Sequence, residues 1–435
     1  MNIEKNLRIL KKMSLYVLIF VVMLILFCIS MIASYAIPNQ KIQFHIKESV
    51  DVVLQNNKRP FFRSFINNDT LDLSTDELIL NTAMNKGKNE NEGILIKAFE
   101  NSRFTAKSED EAEALRQTVN YDNIYNNKEY ARYWHGIQVI IRPLLLFLNY
   151  EEIRYLFMII MFILLFVTSI QIQKNLSLAH SMAFVFSNLA IGFFVIPASL
   201  QYVPVFAIML ISVSLINFLY KKNKEWLYPY LFFIIGGLTT FFDLLTTPLL
   251  TLGIPLIYAI LLKTKEEATL GQVIKEIVQF SILWGISYVA IFFSKWLIAS
   301  LVLHKDVITD AINQILFRTN GNEQYPVTRM GAVKTNIDIL FNNVLQKIFI
   351  GIIILWIVVM LKNKKKLKEC KMVVPLTIIA IYPYIWYIIF AGHSKIHAFF
   401  TFRVQLISLI SILYSMIECI DLRKLQKPTK KYKRL

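Results

Sequence analysis

The hydrophobic and polar positions of the 435-residue chain form long apolar runs separated by polar segments. A helix needs about 20 mostly apolar residues to cross the hydrocarbon core of a bilayer. The first such run, residues 15–36, follows several basic residues and is too long for the apolar part of a signal peptide. An uncleaved first membrane helix is therefore favoured over a cleaved signal. Nine further apolar runs follow, at 153–171, 178–197, 202–220, 227–242, 247–262, 277–300, 346–361, 373–391 and 404–420.

These runs predict an all-α polytopic membrane protein with about 10 transmembrane helices. They divide the chain into four regions. Residues 1–36 form an N-terminal cytoplasmic tail and the first transmembrane helix, and 37–150 form an extracytoplasmic loop. Residues 151–420 form a nine-helix transmembrane region that includes an outer loop at 301–345, and 421–435 form a basic cytoplasmic tail.

The first extracytoplasmic loop has the pattern of short helices that lie on the membrane surface. Residues 42–54 predict one of them, and Ser74 and Glu77 have the spacing of a capping box at the start of another. Residues 137–148 are apolar but too short to span, which favours an interfacial helix that returns the chain to the bilayer. Trp134, just before it, is expected at the depth of the lipid headgroups.

Composition supports the membrane class and excludes others. The chain is 55% apolar and 18% charged, whereas soluble chains are typically about a quarter charged. Three cysteines cannot form a disulfide framework. These values exclude a disordered chain, a disulfide scaffold and a nucleic-acid-binding domain of ordinary polarity.

The formal net charge of +17 is concentrated on one face of the predicted topology. The predicted inner segments hold 24 basic and 7 acidic residues, and the rest of the chain holds 23 of each. By the positive-inside rule, both termini are then cytoplasmic. The basic tail is interpreted as an orientation signal that attracts anionic lipid, rather than as a nucleic-acid arm. The inner segments are 1–13, 172–177, 221–226, 263–276, 362–371 and 421–435.

Ionisable residues at membrane depth are costly and often mark function. Asp243 lies between two short apolar runs, which are either two thin spans or a pair of broken helices. Lys295 lies within a run, and His393, His397 and Arg403 lie just before the last one. Each has a plainer interpretation: Asp243 as a helix cap, Lys295 as a side chain that reaches the headgroups, and Arg403 as an anchor.

The two histidines are four residues apart, which places them on one helix face and raises the possibility of a metal site. No carboxylate or cysteine lies near them in the sequence, so a divalent metal stays an open alternative that is not indicated. Histidine beside Lys and Arg better suits an anionic ligand such as a phosphate.

The first loop supplies the other candidates. Asp76 is interpreted either as a carboxylate favoured in the first turn of its helix or as a general base, and Asp72 lies close to it. His135 belongs to an aromatic and basic stretch before the interfacial helix. Arg142 and Arg154 flank that helix and are further candidates for contact with substrate.

The arrangement of a polytopic chain whose first outer loop returns through an interfacial helix resembles the GT-C superfamily of membrane glycosyltransferases. At the level of motif, four stretches are similar to those of uncharacterised multi-pass membrane proteins of Gram-positive bacteria. These stretches are residues 130–136, 142–145, 242–246 and 393–403.

The resemblance implies an inverting hexosyl transfer from a polyprenyl-phosphate-linked sugar donor to a glycan acceptor outside the cytoplasmic membrane. It implies an acidic base in the first loop, for which Asp51, Asp72 and Asp76 are the nearest candidates, because residues 37–40 hold no carboxylate. It requires no cofactor and no nucleic acid. The donor phosphate would be held by basic residues near the outer face, namely Lys295, His393, His397 and Arg403.

Other functions remain open at this point. A transporter or flippase of lipid-linked sugars would use the broken helices around Asp243 as a midplane site, although no repeat relates the two halves of the chain. A polysaccharide polymerase shares the expected topology and the outer basic site. A membrane protein with a purely structural role is the plainest alternative.

Overall fold

The protein is described by a computed structural model that covers residues 2–56, 73–84, 92–107, 110–120, 126–264, 268–341, 347–348, 350–355, 358 and 370–419. Its first fourteen helices are α1 (Asn2–Tyr35), α2 (Asn39–Asn56), α3 (Leu73–Ala83), α4 (Ile94–Glu100), α5 (Glu111–Asn120), α6 (Gln138–Leu144), α7 (Tyr150–Asn175), α8 (Leu178–Ala190), α9 (Val203–Lys221), α10 (Tyr228–Phe242), α11 (Leu250–Thr264), α12 (Leu270–Leu303), α13 (Val307–Asn320) and α14 (Arg329–Leu340). Five more are α15 (Val373–Ala380), α16 (Tyr382–Ile389), α17 (Ala391–Ile396), α18 (Ala398–Thr401) and α19 (Leu406–Cys419).

Five helical segments of the described chain are long and apolar enough to cross a membrane. They are Leu10–Tyr35, Tyr150–Asn175, Val203–Lys221, Leu270–Leu303 and Ala398–Cys419. Shorter apolar helices cover Leu178–Ala190, Leu250–Lys263 and Val373–Ile389. The coarse prediction of an all-α membrane protein is confirmed. The predicted run at 346–361 is described only in part, at residues 347–348, 350–355 and 358, which are helical.

Local sequence explains where several of these helices begin. Asn149 accepts a hydrogen bond from the backbone N–H of Glu152 (3.1 Å), and the Glu152 carboxylate accepts one from the Asn149 N–H (2.8 Å), which is a capping box for α7. Thr269 and Gln272 make the same motif at the start of α12. By contrast, Ser74, the predicted cap, lies inside α3, which is already helical at Leu73.

Helices α10 and α12 pack at backbone contact distance. A Cβ atom added at Gly236 would lie 2.2 Å from the carbonyl oxygen of Trp284, so only glycine fits at this crossing. Small residues at helix crossings are common in membrane proteins because backbone proximity maximises van der Waals contact. The close pairing fixes where the loop after Phe242 meets α12.

The described residues between 92 and 149 (92–107, 110–120 and 126–149) pack on one end of the bundle, which we call the loop side. There Trp134 Nε1 donates to the Ile291 carbonyl (2.9 Å), and Trp296 Nε1 donates to the Arg132 carbonyl (2.9 Å). Trp134 is only 1% exposed, so its ring packs in the protein interior, and its depth relative to the headgroups stays a prediction. Gly136 N–H also donates to the Phe241 carbonyl (2.9 Å), which ties the loop to the end of α10.

The loop contains one element that the sequence reasoning missed. Strands β1 (Arg103–Thr105) and β2 (Asn126–Lys128) pair antiparallel, with Arg103 opposite Lys128 and Thr105 opposite Asn126. Residues 126–129 had the composition of a solvated turn. Short strands carry little periodic signal, and α5 lies between the two strands in the chain and packs against β1.

Candidate functional site

An apolar groove of about 320 Å³ lies between α12, α13 and the end of α16. It follows α12 from Trp284 to Trp296, and its upper part reaches the loop side. Val289, one of its lining residues, is 64% exposed on the outer surface of the bundle, so the groove opens laterally where α12 presents apolar side chains. The lining residues are Arg132, Tyr133, Leu245, Trp284, Gly285, Tyr288, Val289, Phe292, Trp296, Ala311, Gln314, Ile315, Arg318, Trp386 and Phe390.

Two arginines are the charged residues of this lining. Arg318 on α13 donates from Nη1 to His393 Nδ1 (2.6 Å), and its guanidinium lies 5.9 Å from the centre of the Tyr133 ring. Arg132 pairs with Asp310 (3.1 Å) and lies 4.7 Å from the Tyr130 ring. Among the described residues, the buried Nε of each arginine has no hydrogen-bond partner. The groove surface is therefore almost wholly apolar, and the two guanidinium groups lie beside it with their Nε atoms buried.

His393 connects Arg318 to the loop after α10. Its Nδ1 accepts from Arg318, so the ring proton is on Nε2, which donates to the Leu245 carbonyl (2.7 Å). Burial and the neighbouring charge of Arg318 hold the pKa of His393 well below its ordinary value. Because both ring nitrogens are hydrogen-bonded, His393 holds the Arg318 guanidinium at a fixed distance from the Leu245 carbonyl.

The close approach of α17 to α13 depends on the residue before His393. A Cβ atom at Gly392 would lie 2.5 Å from the Phe317 carbonyl oxygen and 2.9 Å from that of Arg318. Any larger residue would push the two helices apart. The Gly392-His393 pair thus sets the position of the Arg318 guanidinium in the groove.

Asp243 lies in the connection between α10 and α11. Its Oδ1 accepts hydrogen bonds from the backbone N–H (2.9 Å) and the hydroxyl of Thr246. Its Oδ2 is buried and, within the described part of the chain, has no hydrogen-bond partner. Burial raises the pKa of the Asp243 carboxyl to about 7, an effect that the Thr246 hydrogen bonds partly offset.

The predicted base Asp76 is a saturated structural carboxylate. It is fully buried and accepts hydrogen bonds from the Tyr150 hydroxyl (2.6 Å), the Ser199 hydroxyl (3.1 Å) and the backbone N–H of Leu200 (3.0 Å). The Gln201 N–H adds a fourth, longer contact (3.4 Å). These donors favour the ionised form and leave no oxygen for an acceptor hydroxyl. Its predicted neighbour Asp72 lies outside the described residues.

Arg142 likewise makes structural hydrogen bonds within the protein. The guanidinium is fully buried and donates to the carbonyls of Ser34 (2.9 Å), Ile37 (2.5 Å) and Ala83, and to Asn39 Oδ1 (3.1 Å). It thereby joins the end of α1, the start of α2 and the end of α3. The structure gives Arg142 a bracing role and leaves it outside the groove lining.

Lys295 and His135 lie in the contact between the loop and α12. Lys295 is buried, donates to the Phe99 carbonyl (2.7 Å) and lies 5.0 Å and 5.8 Å from the Phe99 and Trp134 ring centres. His135 is buried in a left-handed conformation (φ 54°), and burial, aided by the charge of Lys295, lowers its pKa to about 3. Neither residue lines the groove.

The remaining candidates form aromatic contacts. The Arg403 guanidinium lies 4.8 Å from both the Tyr202 and the Phe402 ring centres. His397 stacks on Phe400 at 5.2 Å, and its pKa is lowered to about 4, mainly by burial and also by Arg318. Arg154 lies 5.2 Å from the Tyr150 ring centre.

Of the predicted residues, His393 contacts the groove lining at Arg318 and Leu245, and Asp243 adjoins it two residues before Leu245. His135 contacts the lining residue Tyr133, with ring centres 6.3 Å apart. The two arginines of its lining were not chosen from the sequence, although Arg132 lies in the aromatic stretch before the interfacial helix. Among the described residues, no group of three His, Cys, Asp or Glu side chains is arranged to hold a metal. Comparison with protein-family models, curated proteins and solved structures finds no match to this chain.

Proposed function

We propose that the protein is a membrane glycosyltransferase that moves a sugar from a polyprenyl-phosphate donor to a cell-wall or surface polysaccharide outside the cytoplasmic membrane. The observation that carries this proposal is the groove, whose apolar wall ends at Arg132 and Arg318. A polyprenyl-phosphate lipid has the same division, with a long apolar chain and an anionic head.

In this proposal the isoprenoid chain lies along α12, and the part beyond the groove stays in the bilayer because the groove opens beside the exposed Val289. The guanidinium groups of Arg318 and Arg132 then bind the phosphate. Guanidinium groups suit phosphate oxygens because their planar donors bind two oxygens at once. In the reaction, the same donors would stabilise the charge that develops on the departing lipid phosphate.

The distribution of basic residues supports a reaction on the extracytoplasmic side. With the basic segments in the cytoplasm, the loop side faces outward. The arginines then lie near the outer leaflet, where a lipid-linked donor can enter sideways from the bilayer. No nucleotide sugar has to reach such a site.

A flippase for lipid-linked sugars is the second candidate, and one observation favours it. The connection between α10 and α11 places Asp243 and the left-handed Leu245 (φ 68°) between two short apolar helices, as in the interrupted helices of transporters. Reconstituted vesicles distinguish the two functions. A flippase moves a fluorescent polyprenyl-phosphate analogue between leaflets without an acceptor glycan, whereas a transferase does not.

Replacing Arg318 by Gln is expected to weaken binding of undecaprenyl phosphate by about 10- to 100-fold, because a hydrogen bond to a charged group contributes about 1.5–3 kcal/mol. Binding is measured on purified protein in nanodiscs through the fluorescence of Trp284 and Trp386, which line the groove. Arg318→Lys should retain part of the affinity. Lys334→Gln removes a positive charge from an exposed position on α14 and serves as the control. Equal affinities for all variants would contradict the proposed phosphate site.

A further inference from the structure

The connection between α10 and α11 contains a buried carboxylate, that of Asp243, with one oxygen that lacks a hydrogen-bond partner among the described residues. Asp243 is only 3% exposed, and its Oδ2 has no hydrogen-bond partner among the described residues, while Thr246 occupies Oδ1. A buried polar atom without a partner costs about 1–3 kcal/mol, and the cost is larger when the group is charged. In the described part of the first loop, Asp76 by contrast accepts hydrogen bonds at both carboxylate oxygens.

The same connection is held in a strained conformation next to the groove. Leu245, two residues after Asp243, has a positive φ of 68° and lines the groove. A non-glycine residue in this region costs about 1–3 kcal/mol and persists only where its surroundings enforce it. His393 supplies that constraint by donating to the Leu245 carbonyl (2.7 Å).

The charged and titratable groups around this connection come from three other helices. Tyr288 of α12 lines the groove and is close enough to both Asp243 and Arg318 to interact with them electrostatically. Arg318 comes from α13, and His393 comes from α17. Asp243 and Arg318, which is proposed to bind the phosphate, therefore adjoin the same groove, whose lining includes Tyr288 and Leu245.

We propose that Asp243 is the proton acceptor for the incoming hydroxyl, an assignment that rests on the proposed sugar transfer. Its carboxylate takes the proton of the acceptor hydroxyl, and that oxygen forms a bond to the anomeric carbon of the donor sugar. The bond between this carbon and the phosphate oxygen breaks, and the electron pair leaves with the polyprenyl phosphate. Arg318 offsets the charge of the leaving phosphate, and the proton passes from Asp243 to water.

Other carboxylates near the loop side are less suited to this role. Asp310 is paired with Arg132 (3.1 Å), and Glu100 lies 3.4 Å from Lys305. Asp76 receives four donors. A general base works best with a pKa close to the working pH, and burial raises the pKa of Asp243 to about 7. The transfer rate should therefore rise as the pH increases through about 7, because only the ionised carboxylate accepts a proton.

The test uses a strain that lacks the gene for this protein, complemented with wild type, Asp243→Asn, Asp243→Glu or Asp338→Asn. Asp338 is an exposed carboxylate on α14 and serves as the control. The readouts are the sugar composition of the wall polysaccharides and the binding of undecaprenyl phosphate to each purified protein. Asp243→Asn should bind the lipid like wild type but lower transfer by about 100-fold or more, the usual contribution of a general base. Asp243→Glu should retain part of the transfer, and Asp338→Asn all of it.

The results separate the role of Asp243 from the proposed function. Transfer by Asp243→Asn at the wild-type level would overturn the role of Asp243 and leave the proposed function intact. Loss of lipid binding by that variant at normal protein level would also overturn it, because Asp243 would then be part of the donor site. An unchanged wall-sugar composition after gene deletion would overturn the proposed function itself, and the assignment of Asp243 with it.

Discussion

Replacing Asp76 by Ala is expected to lower the free energy of unfolding by about 3–5 kcal/mol, because several buried donors lose their acceptor together. The Tyr150 and Ser199 hydroxyls and the Leu200 N–H all point to this carboxylate. The substitution should disconnect α3 from the start of α7 and from the segment before α9. The melting temperature of the purified protein in detergent measures the effect.

Asp306→Ala gives a graded control for this variant. Asp306 is the exposed N-cap of α13 and accepts from the Thr309 N–H (2.9 Å), so its loss should cost about 1 kcal/mol. A melting temperature of Asp76→Ala close to wild type, together with lost sugar transfer, would contradict the structural role. That result would return Asp76 to the position of general base that its sequence context suggested.

Replacing Arg142 by Ala is expected to lower the free energy of unfolding by a similar amount, about 3–5 kcal/mol. Three backbone carbonyls and Asn39 Oδ1 would all lose the buried guanidinium that donates to them. The end of α1, the start of α2 and the end of α3 should separate. Arg142→Lys offers three donors instead of five and should recover only part of the stability. The measurement is again thermal unfolding, combined with the amount of protein recovered from membranes.

Arg116→Ala is the matched control for Arg142. Arg116 is half-exposed and pairs with Glu113 at 2.7 Å on the surface of α5, a type of contact that contributes about 1 kcal/mol or less. A stable Arg142→Ala protein that no longer binds undecaprenyl phosphate would contradict the bracing role. It would support the earlier hypothesis that Arg142 contacts the substrate.

Hydropathy along the chain was sufficient to predict the helical framework. The run at 178–197 corresponds to α8 and the following 3-10 turn, and the interruption at Asp243 separates α10 from α11 as predicted. Such runs are visible because most lipid-facing and buried positions in a spanning helix are apolar. Among the described residues, five of these helices are long and apolar enough to cross a membrane.

The partners of polar side chains could not be predicted in the same way. Asp76 meets residues more than 120 positions away, and Lys295 meets a carbonyl 196 positions earlier in the chain. Nothing local in the sequence specifies such contacts. The histidine pair shows the same limit: its four-residue spacing correctly brings the rings of His393 and His397 within 4.8 Å, but only the fold reveals that His393 is held between Arg318 and Leu245.

Arg318 had no distinguishing signal in the sequence. It is a single arginine in the amphipathic helix α13, and most such residues face solvent. Its position in the groove depends on Gly392, which allows α17 to approach α13. Helix packing therefore assembles the site, and the sequence alone does not show which residues come together.

Binding of undecaprenyl phosphate to Gly285→Trp is the most direct test of the groove as the donor site. Gly285 lines the groove on α12, and a Cβ atom added there meets no other atom within 4 Å, so a large side chain can fill the groove without disturbing the core. Gly271→Trp on the same helix is the matched control, because its Cβ position is equally open and Gly271 is outside the groove lining. We expect Gly285→Trp to lose about tenfold or more in affinity, equivalent to at least 1.4 kcal/mol, while Gly271→Trp binds like wild type. Equal binding by both variants, with unchanged melting temperatures, would contradict a lipid donor in this groove.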